Sequence, residues 1–363
     1  MSPVAVKTLA GILSNAFVGA GAVPVEAEAL QPAEVLLDLY GEDIRGRAYV
    51  TDDPVGGELM LRPDFTVPVV QMHMAGGAEP ARYTYNGPVW RKQEPGMGRA
   101  KEYLQVGFEL FDRHDPAASD AEVFALFYEI LKPYDLRMAT GDVGLLAAAI
   151  DGLTTTTRRK ERLRRQIWRP ERFRQLLDMY SGKVANLPTR VTMIDAVATK
   201  SADLVLNQAG PLLGLRSRSE VLARVASLQA DVQTAPIPAT EVAVLEELLS
   251  INGMAVQALH SLRDVQDRLQ GFSVAVDRLE ARLNAVAAKG VDIDTLPFEA
   301  NFGLTSLEYY DGFVFGFFDG ENPVSSGGRY DALTQVLGQG RSIPAVGGVI
   351  RPDALAAVSG GGA

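Results

Sequence analysis

Hydrophobic and polar residues alternate most clearly in two stretches of the first 140 residues. Residues 82–90 (RYTYNGPVW) carry aromatic and β-branched side chains in rough alternation, and residues 104–111 (LQVGFELF) alternate almost strictly. This period of two is typical of β-strands. The stretch 93–98 between them contains proline and glycine and predicts a long turn, so the two strands should form a hairpin. We expect one face of the hairpin to be buried and the other to present Gln105 and Glu109.

Helical spacing appears at the beginning of the chain and again after the hairpin. Leu9, Leu13 and Phe17 recur at intervals of four, which predicts an ordinary amphipathic first helix rather than a cleaved signal peptide. Ser119 is followed three residues later by Glu122, which is the pattern of a capping box at the start of a helix.

The character of the chain changes near residue 150 and again near residue 290. Between these points strand patterns are rare and helical patterns dominate, whereas strand patterns return at residues 309–318 and 343–350. The sequence therefore predicts an α+β protein. Its discontinuous body would comprise residues 1–150 and 291–357, interrupted by a mainly helical insertion of residues 151–290.

Composition excludes several classes of site. The chain has 363 residues, a formal net charge of −10, no cysteine and three histidines. Without cysteine there is no disulfide, thiolate zinc site, iron–sulfur cluster or cysteine nucleophile, and three scattered histidines do not build a metal centre. We expect no metal and no cofactor. No apolar run approaches the roughly 20 residues of a membrane span, so we expect a cytoplasmic protein that does not bind membranes.

A basic run at residues 158–174 departs from the acidic composition. It contains nine lysines and arginines against two glutamates. It could form an anion site for a phosphorylated ligand, RNA or an acidic partner, or it could be a solvated helix face or a protein–protein contact. Trp168 and Phe173 are the aromatic residues within it, which gives little support to base stacking. The pattern favours the solvated face or protein contact.

Polar side chains also occur inside or beside the predicted strands, where apolar residues would pack better. They are Asp64, Thr66, Arg91, Gln105, Glu109, Tyr309 and Tyr310. Carboxylates and amides accept from an ammonium group, an arginine binds a carboxylate with two parallel hydrogen bonds, and a second acid could accept from an imidazole. This set suits a zwitterion with a polar side chain. Alternatively, Arg91 could form a structural ion pair with Glu109 or Glu94, and spacing alone does not decide between the two interpretations.

Several motifs that include these residues resemble the core of histidyl-tRNA synthetase, a class II aminoacyl-tRNA synthetase. They follow one another along the chain as LRPDFT at 61–66, RYTYNGPVWR at 82–91, YLQVGFE at 103–109, GGRYD at 327–331 and PAVG at 344–347. The resemblance covers most of residues 1–140 and 297–355. It implies an antiparallel sheet flanked by helices and a dimer whose first motif includes a proline near Pro32.

The resemblance also implies that the polar set binds histidine. Asp64 matches an acid that binds the amino group, with Thr66 beside it, and Gln105 and Glu109 match residues that hold the amino acid. Glu109 would face the imidazole, with Tyr310 at the same end. Arg91 matches the second-motif arginine near the carboxylate and the α-phosphate, and Tyr309 adjoins Tyr310.

The chain departs from the synthetases where ATP would bind. Thr305 and Ala354 stand where the synthetases have arginines, and Gln93 replaces a glutamate near the adenine. Arg351 lies three residues from the position of the second arginine and is not expected to reproduce its geometry. Loss of cations that face phosphate charge removes several kcal/mol of transition-state stabilisation, so we expect no amino-acid activation. The chain ends about eight residues after the third motif, and we expect no C-terminal anticodon-binding domain.

This combination resembles the regulatory subunits of ATP phosphoribosyltransferase, which are paralogues of histidyl-tRNA synthetase. It implies a non-catalytic role in the first step of histidine biosynthesis, with histidine as the feedback effector. The expected partner is a separate short-form catalytic subunit in a hetero-octamer, and no tRNA is expected to bind. Two alternatives stay open: a synthetase-like ligase acting on an acceptor other than tRNA, and an RNA-binding or interaction module that uses the basic run.

Overall fold

A computed structural model describes residues 2–40, 45–93, 100–184, 191–192, 195–196, 198, 200–210, 216–304 and 310–360. The strands are β1 (Val23–Pro24), β2 (Leu30–Pro32), β3 (Val50–Asp53), β4 (Gly57–Leu61), β5 (Ala81–Trp90), β6 (Glu102–Phe111), β7 (Arg137–Asp142), β8 (Asn252–Met254), β9 (Pro297–Glu299), β10 (Phe313–Asp319), β11 (Asn322–Arg329) and β12 (Ala345–Ile350). The helices that the following sections use are α1 (Pro3–Gly19), α2 (Ala33–Tyr40), α3 (Thr66–Met74), α4 (Pro116–Leu131), α5 (Val143–Gly152), α6 (Thr157–Arg164), α7 (Pro170–Tyr180), α8 (Ala202–Gln208), α9 (Arg218–Gln233), α10 (Ala239–Ser250), α11 (Ala255–Val265), α12 (Ser273–Ala288), α13 (Asp331–Leu337) and α14 (Pro352–Gly360).

A nine-stranded sheet organises the described part of the chain, in the order β1-β5-β6-β12-β11-β10-β7-β9-β8. Neighbouring strands are antiparallel except for the β1–β5 and β7–β9 pairs, which are parallel, so the sheet is mixed rather than purely antiparallel. The predicted hairpin is confirmed as β5 and β6, with Tyr83 opposite Glu109 and Gly87 opposite Gln105. A second sheet of β2, β4 and β3 packs its own small apolar core.

Buried aromatic residues lie on both faces of the large sheet, and those on the face away from Glu109 pack against α1 and α4. There the ring of Phe108 lies 5.5 Å from Phe17 of α1 and the ring of Phe315 lies 5.4 Å from Phe127 of α4. All four side chains are buried, and burial of each stabilises the fold by about 1.5–3 kcal/mol. Leu13 also confirms the amphipathic first helix, since it is buried with Phe17 on one side of α1.

The expected capping box at Ser119 is wrong. Helix α4 begins at Pro116, and its N-cap is Asp115, whose side chain accepts from the backbone N–H of Ala118. Proline favours the first helical position because its missing N–H has no helical partner to lose. Glu122 is left to bind Arg82, whose Nε lies 2.5 Å from Oε1 of the glutamate.

Residues 151–290 contain helices α6–α12 and the short strand β8. Helix α12 is joined to the sheet region by a buried charge cluster: Arg282 donates to Asp120 of α4 and to Asp142 at the end of β7, at 2.7 and 2.6 Å. Arg329 of β11 binds the same Asp120 at 2.6 Å. The division of the chain into a body and an insertion stays a prediction.

Candidate functional site: a buried polar cluster beside a cationic cleft

The carboxylate of Glu109 is the centre of a buried polar cluster on the face of the sheet opposite Phe108 and Phe315. Its Oε1 accepts from Thr66 Oγ1 at 2.9 Å and from Tyr85 OH at 3.0 Å, and its Oε2 accepts from Tyr330 OH at 2.5 Å. Glu109 itself is 1% exposed. Its hydrogen bonds thus come from hydroxyl groups, and not from the guanidinium of Arg91 that the sequence allowed as a partner.

Small residues in the sheet make room for this cluster. Gly347 of β12 lies directly opposite Glu109, and a Cβ atom at this position would come within 1.6 Å of Glu109 Oε2. Gly107 of β6 lies opposite Tyr85, and a Cβ there would come within 2.1 Å of the Tyr85 ring. These glycines are therefore required by close approach of side chains from neighbouring strands.

Burial and hydrogen bonding act in opposite directions on the pKa of Glu109. Burial disfavours the charged form, while the hydroxyls of Tyr330, Thr66 and Tyr85 stabilise it, and the balance raises the pKa of Glu109 to about 7. Burial and the neighbouring Glu109 also raise the pKa of both tyrosines well above the ordinary value. The phenols therefore stay protonated and donate to the carboxylate.

Gln105, four residues before Glu109 in β6, and Asp64 are two further buried acceptors. Gln105 is 1% exposed, and its Oε1 accepts no hydrogen bond from the described residues. Asp64 Oδ1 accepts from the backbone N–H of Val67 at 3.3 Å. Burial raises the pKa of Asp64, and the charge of Arg91 opposes that effect. Buried acceptors without donors are costly, so Gln105 Oε1 marks a place where a donor would be stabilising.

A cleft of about 1620 Å³ lies beside the buried cluster, and its walls include Arg91, Tyr103, Tyr310, Ser326 and Arg351. Arg91 donates from Nε to the carbonyl oxygen of Pro63 at 2.7 Å. Arg351 donates from Nη2 to Ser326 Oγ at 3.2 Å, and burial, followed by the charge of Arg91, lowers the pKa of Arg351. Arg91 and Arg351 are two of the five arginines that line this cleft.

The structure brings six of the seven predicted site residues into this region. Asp64, Thr66, Gln105 and Glu109 are buried, while Arg91 and Tyr310 line the cleft. Tyr309 lies outside the described residues, as do Thr305 and Glu94. The expectation that the hairpin presents Gln105 and Glu109 on an open face is wrong, because both faces of β6 are covered.

Sequence reasoning missed two residues that hold Glu109. Tyr85 lies in the predicted strand 82–90, and Tyr330 lies in the GGRYD motif, yet neither was assigned a role. Tyr85 has a recognisable signal, since an aromatic residue opposite a glycine across a hairpin has space to lie over the neighbouring strand. Tyr330 has no such signal in the sequence, because it is 221 residues from Glu109 along the chain.

The comparisons with known proteins define the class. The family model described as histidyl-tRNA synthetase matches residues 4–235 and 189–355, and the fold is that of a class II synthetase-like protein. Curated proteins from Brucella ovis and Brucella abortus, each named ATP phosphoribosyltransferase regulatory subunit, are 30% identical over 93% of this chain and cover 93% and 92% of their own lengths. The chain belongs to the family of ATP phosphoribosyltransferase regulatory subunits.

Solved structures support the fold. A Bacillus halodurans protein titled ATP phosphoribosyltransferase regulatory subunit/histidyl-tRNA synthetase matches 98% of this chain and 78% of its own, with a TM-score of 0.68 and 21% identity. Histidyl-tRNA synthetase from Nostoc matches 97% of this chain and 70% of its own, with a TM-score of 0.62 and 17% identity.

Two kinds of feature are absent from the part of the chain that the structure describes. No helix there is long and apolar enough to span a bilayer. No cluster of three metal-ligating side chains occurs among the same residues.

Proposed function

We propose that this chain, as a regulatory subunit of ATP phosphoribosyltransferase, is non-catalytic, binds histidine and conveys feedback to a separate short-form catalytic subunit. Histidine would occupy the region between the buried polar cluster and the cationic cleft. The relatives' names support the regulatory role. The support for histidine comes from the buried acceptor of Gln105 and from the cations that line the cleft.

The observation that carries the proposal is the buried Gln105 acceptor without a donor. Glu109 offers a second acceptor position, because a carboxylate has about four such positions and the three hydroxyls use three of them. Histidine supplies the matching donors, an ammonium group and an imidazole N–H. The ammonium would bind near Gln105 and Asp64, and the imidazole would bind near Glu109 and Tyr310.

The carboxylate of histidine would complete the arrangement on the cationic side. Arg91 lines the cleft, and its charge acts on Asp64, so Arg91 would meet the carboxylate of histidine while Asp64 meets the ammonium group. An arginine binds a carboxylate with two parallel hydrogen bonds, which fixes orientation as well as adding affinity. Each charged end of the amino acid would thus meet a group of opposite charge.

The ATP half of the cleft supports a non-catalytic role. Ala354, at the position where the synthetases have an arginine, lines the cleft and offers no charge. Arg351 is held by Ser326 Oγ and by the carbonyl oxygen of Pro323. These bonds direct two of its five N–H donors at protein oxygens. We therefore propose that histidine is bound without being activated by ATP.

Calorimetric titration of histidine into the purified chain tests the proposed site. Gln105→Leu should bind histidine about tenfold more weakly, since the ammonium loses its acceptor. The substitution should leave the fold intact, because Gln105 Oε1 has no partner to lose. Gln335→Leu, at an exposed position of α13, is the matched control and should bind like the wild type. Wild-type affinity in Gln105→Leu would contradict the assignment.

The proposed assembly includes a dimer of this chain, a hetero-octamer with the catalytic subunit, and a cytoplasmic location. No tRNA is proposed as a partner. ATP–pyrophosphate exchange separates this proposal from a synthetase-like ligase. Histidine-dependent exchange at synthetase-like rates would favour the ligase, and its absence alongside histidine binding would support the regulatory subunit.

A further inference from the structure

The basic run forms a cavity that the proposed histidine site does not use. Its volume is about 350 Å³, and it is lined by Arg158, Arg162, Arg165, Gln166, Leu176 and Arg224. Arg158, Arg162 and Arg165 follow one another at intervals of four and three residues, which places them on one face of α6 and its C-terminal end. Arg224 comes from α9, so two helices contribute arginines to one cavity.

Within the described part of the chain, the four cavity arginines have no counter-charge, unlike Arg159 and Arg164 of the same basic run. Arg159 binds Asp231 of α9 at 2.6 Å, and Arg164 binds Asp151. Among the described residues, no carboxylate lies within ion-pair distance of the arginines in the cavity wall. Arg162 makes a weaker contact, with its guanidinium 6.0 Å from the ring centre of Tyr180.

Two polar atoms of the cavity residues are also buried without a partner. Arg158 Nη1 donates no hydrogen bond, and Gln166 Oε1 accepts none, within the part of the chain that the structure describes. A buried guanidinium nitrogen without an acceptor is costly unless something else supplies one. Together with the missing counter-charges, this points to an anion as the group that completes the cavity.

Arg159, a buried residue of the basic run, fixes the two helices that form the cavity. Arg159 donates from Nε to Asp231 Oδ1 and from Nη1 to the carbonyl oxygen of Ala235 at 2.9 Å, and both arginine and aspartate are buried. These bonds fix α6 against the end of α9. The like charges on the two helices are therefore kept near one another by the fold, and the positions of the guanidinium groups are set before any ligand binds.

The lining identifies the class of anion. Guanidinium groups bind phosphate oxygens with two parallel hydrogen bonds, and four of them exceed what one carboxylate can use. The two aromatic residues of the run, Trp168 and Phe173, do not line the cavity, so nucleobases would find no ring on which to stack. The volume suits a small molecule. We propose that this cavity binds a small molecule that carries two or more linked phosphate groups.

Titration of the full-length chain with inorganic pyrophosphate and tripolyphosphate at low salt tests this site. Both probes should bind, and added salt should weaken their binding. Arg162→Gln and Arg224→Gln, on different helices, should each weaken binding about tenfold, since each removes a charged hydrogen-bond donor. Arg164→Gln removes the same charge from the same helix but outside the cavity, and should change the affinity by less than about twofold.

Four results would overturn the proposal. They are no binding of either probe to the wild-type chain at low salt, an equal loss of affinity in Arg164→Gln, retained binding in both cavity variants, and single-stranded RNA that binds the same arginines more tightly than tripolyphosphate does. Circular dichroism of each variant shows whether it is folded. Since the variants lie on two helices, a folding defect in one leaves the other to decide. Histidine binding should be unchanged in all of them, which separates this site from the proposed histidine site.

Discussion

Glu109 combines a buried carboxylate with three hydroxyl donors, an arrangement in which the protonation state depends on small differences in environment. The three hydroxyls come from Thr66, Tyr85 and Tyr330, and they favour the charged form. Burial favours the neutral form and raises the pKa to about 7. A change of pH near neutrality should therefore alter both the stability of the protein and its ability to accept an imidazole N–H at this position.

The pH dependence of unfolding tests this account of Glu109. The folded pKa of about 7 is above the ordinary value of 4.5, so the stabilising contribution of Glu109 is complete below pH 4.5 and is lost as the pH rises through 7. Glu109→Gln does not titrate. The free energy of unfolding of the wild type, relative to this variant, should fall by about 3 kcal/mol at most between pH 4.5 and pH 8.

Urea denaturation of both proteins at several pH values measures this difference. The pKa of Asp311 is also raised to about 7, chiefly by burial and by the charge of Asp331. Because Asp311 is present in both proteins, its effect cancels in the difference. A difference that stays constant across this range would show that the carboxylate of Glu109 has an ordinary pKa.

Sequence patterns predict only part of the Glu109 cluster. Alternation predicted the strand that carries Glu109, and the motifs selected Thr66 and Glu109 together. The contacts of Glu109 with Thr66 and Tyr330 could not be derived from the pattern. Thr66 is 43 residues and Tyr330 is 221 residues from Glu109 along the chain. Periodicity describes neighbours along the chain, whereas a buried hydroxyl cluster depends on which strands become adjacent in the sheet.

At the scale of elements, alternation of apolar and polar residues predicted a buried strand correctly. The capping pattern failed because other side chains took the places of the expected cap residues. The predicted strand 82–90 is confirmed as part of β5 (Ala81–Trp90). The capping pattern at Ser119 and Glu122 failed because Asp115 caps the helix earlier and Arg82 binds Glu122 from a neighbouring strand. Glu122 could either complete a capping box or form an ion pair, and the sequence does not show that Arg82 lies nearby.

Helix α12 provides a prediction at this scale. Arg282 neutralises Asp142 and shares Asp120 with Arg329, and all four side chains are buried. Arg282→Met would leave Asp142 as a buried carboxylate without its cation. We expect the free energy of unfolding to fall by about 3 kcal/mol or more, as measured by urea denaturation.

Arg278→Met is the matched control for this prediction, since Arg278 is exposed on the same helix. It should change stability by less than about 0.5 kcal/mol. Equal effects of the two substitutions would mean that the buried cluster does not hold α12 against α4 and the sheet.

At the scale of the whole molecule, charge is distributed unevenly over a single acidic chain. The net charge is −10, yet arginines gather in two places, the cleft beside Tyr310 and the cavity between α6 and α9. By itself, this acidic balance argues against nonspecific nucleic-acid binding. The structure shows why that conclusion applies only to the average surface, because both arginine sites are concave and formed by residues from separate elements.

The central claim is that histidine, bound at the cluster of Gln105 and Glu109, conveys feedback to a short-form catalytic subunit. Its most direct test is phosphoribosyl transfer by that subunit, measured with and without this chain and with and without histidine. Feedback requires that histidine bind one state of the assembly more tightly than another. The account predicts that the chain activates transfer, that histidine inhibits the wild-type complex, and that Gln105→Leu retains activation but needs about tenfold more histidine for the same inhibition. Activity that is unaffected by the chain, or inhibition by histidine that persists unchanged in Gln105→Leu, would contradict it.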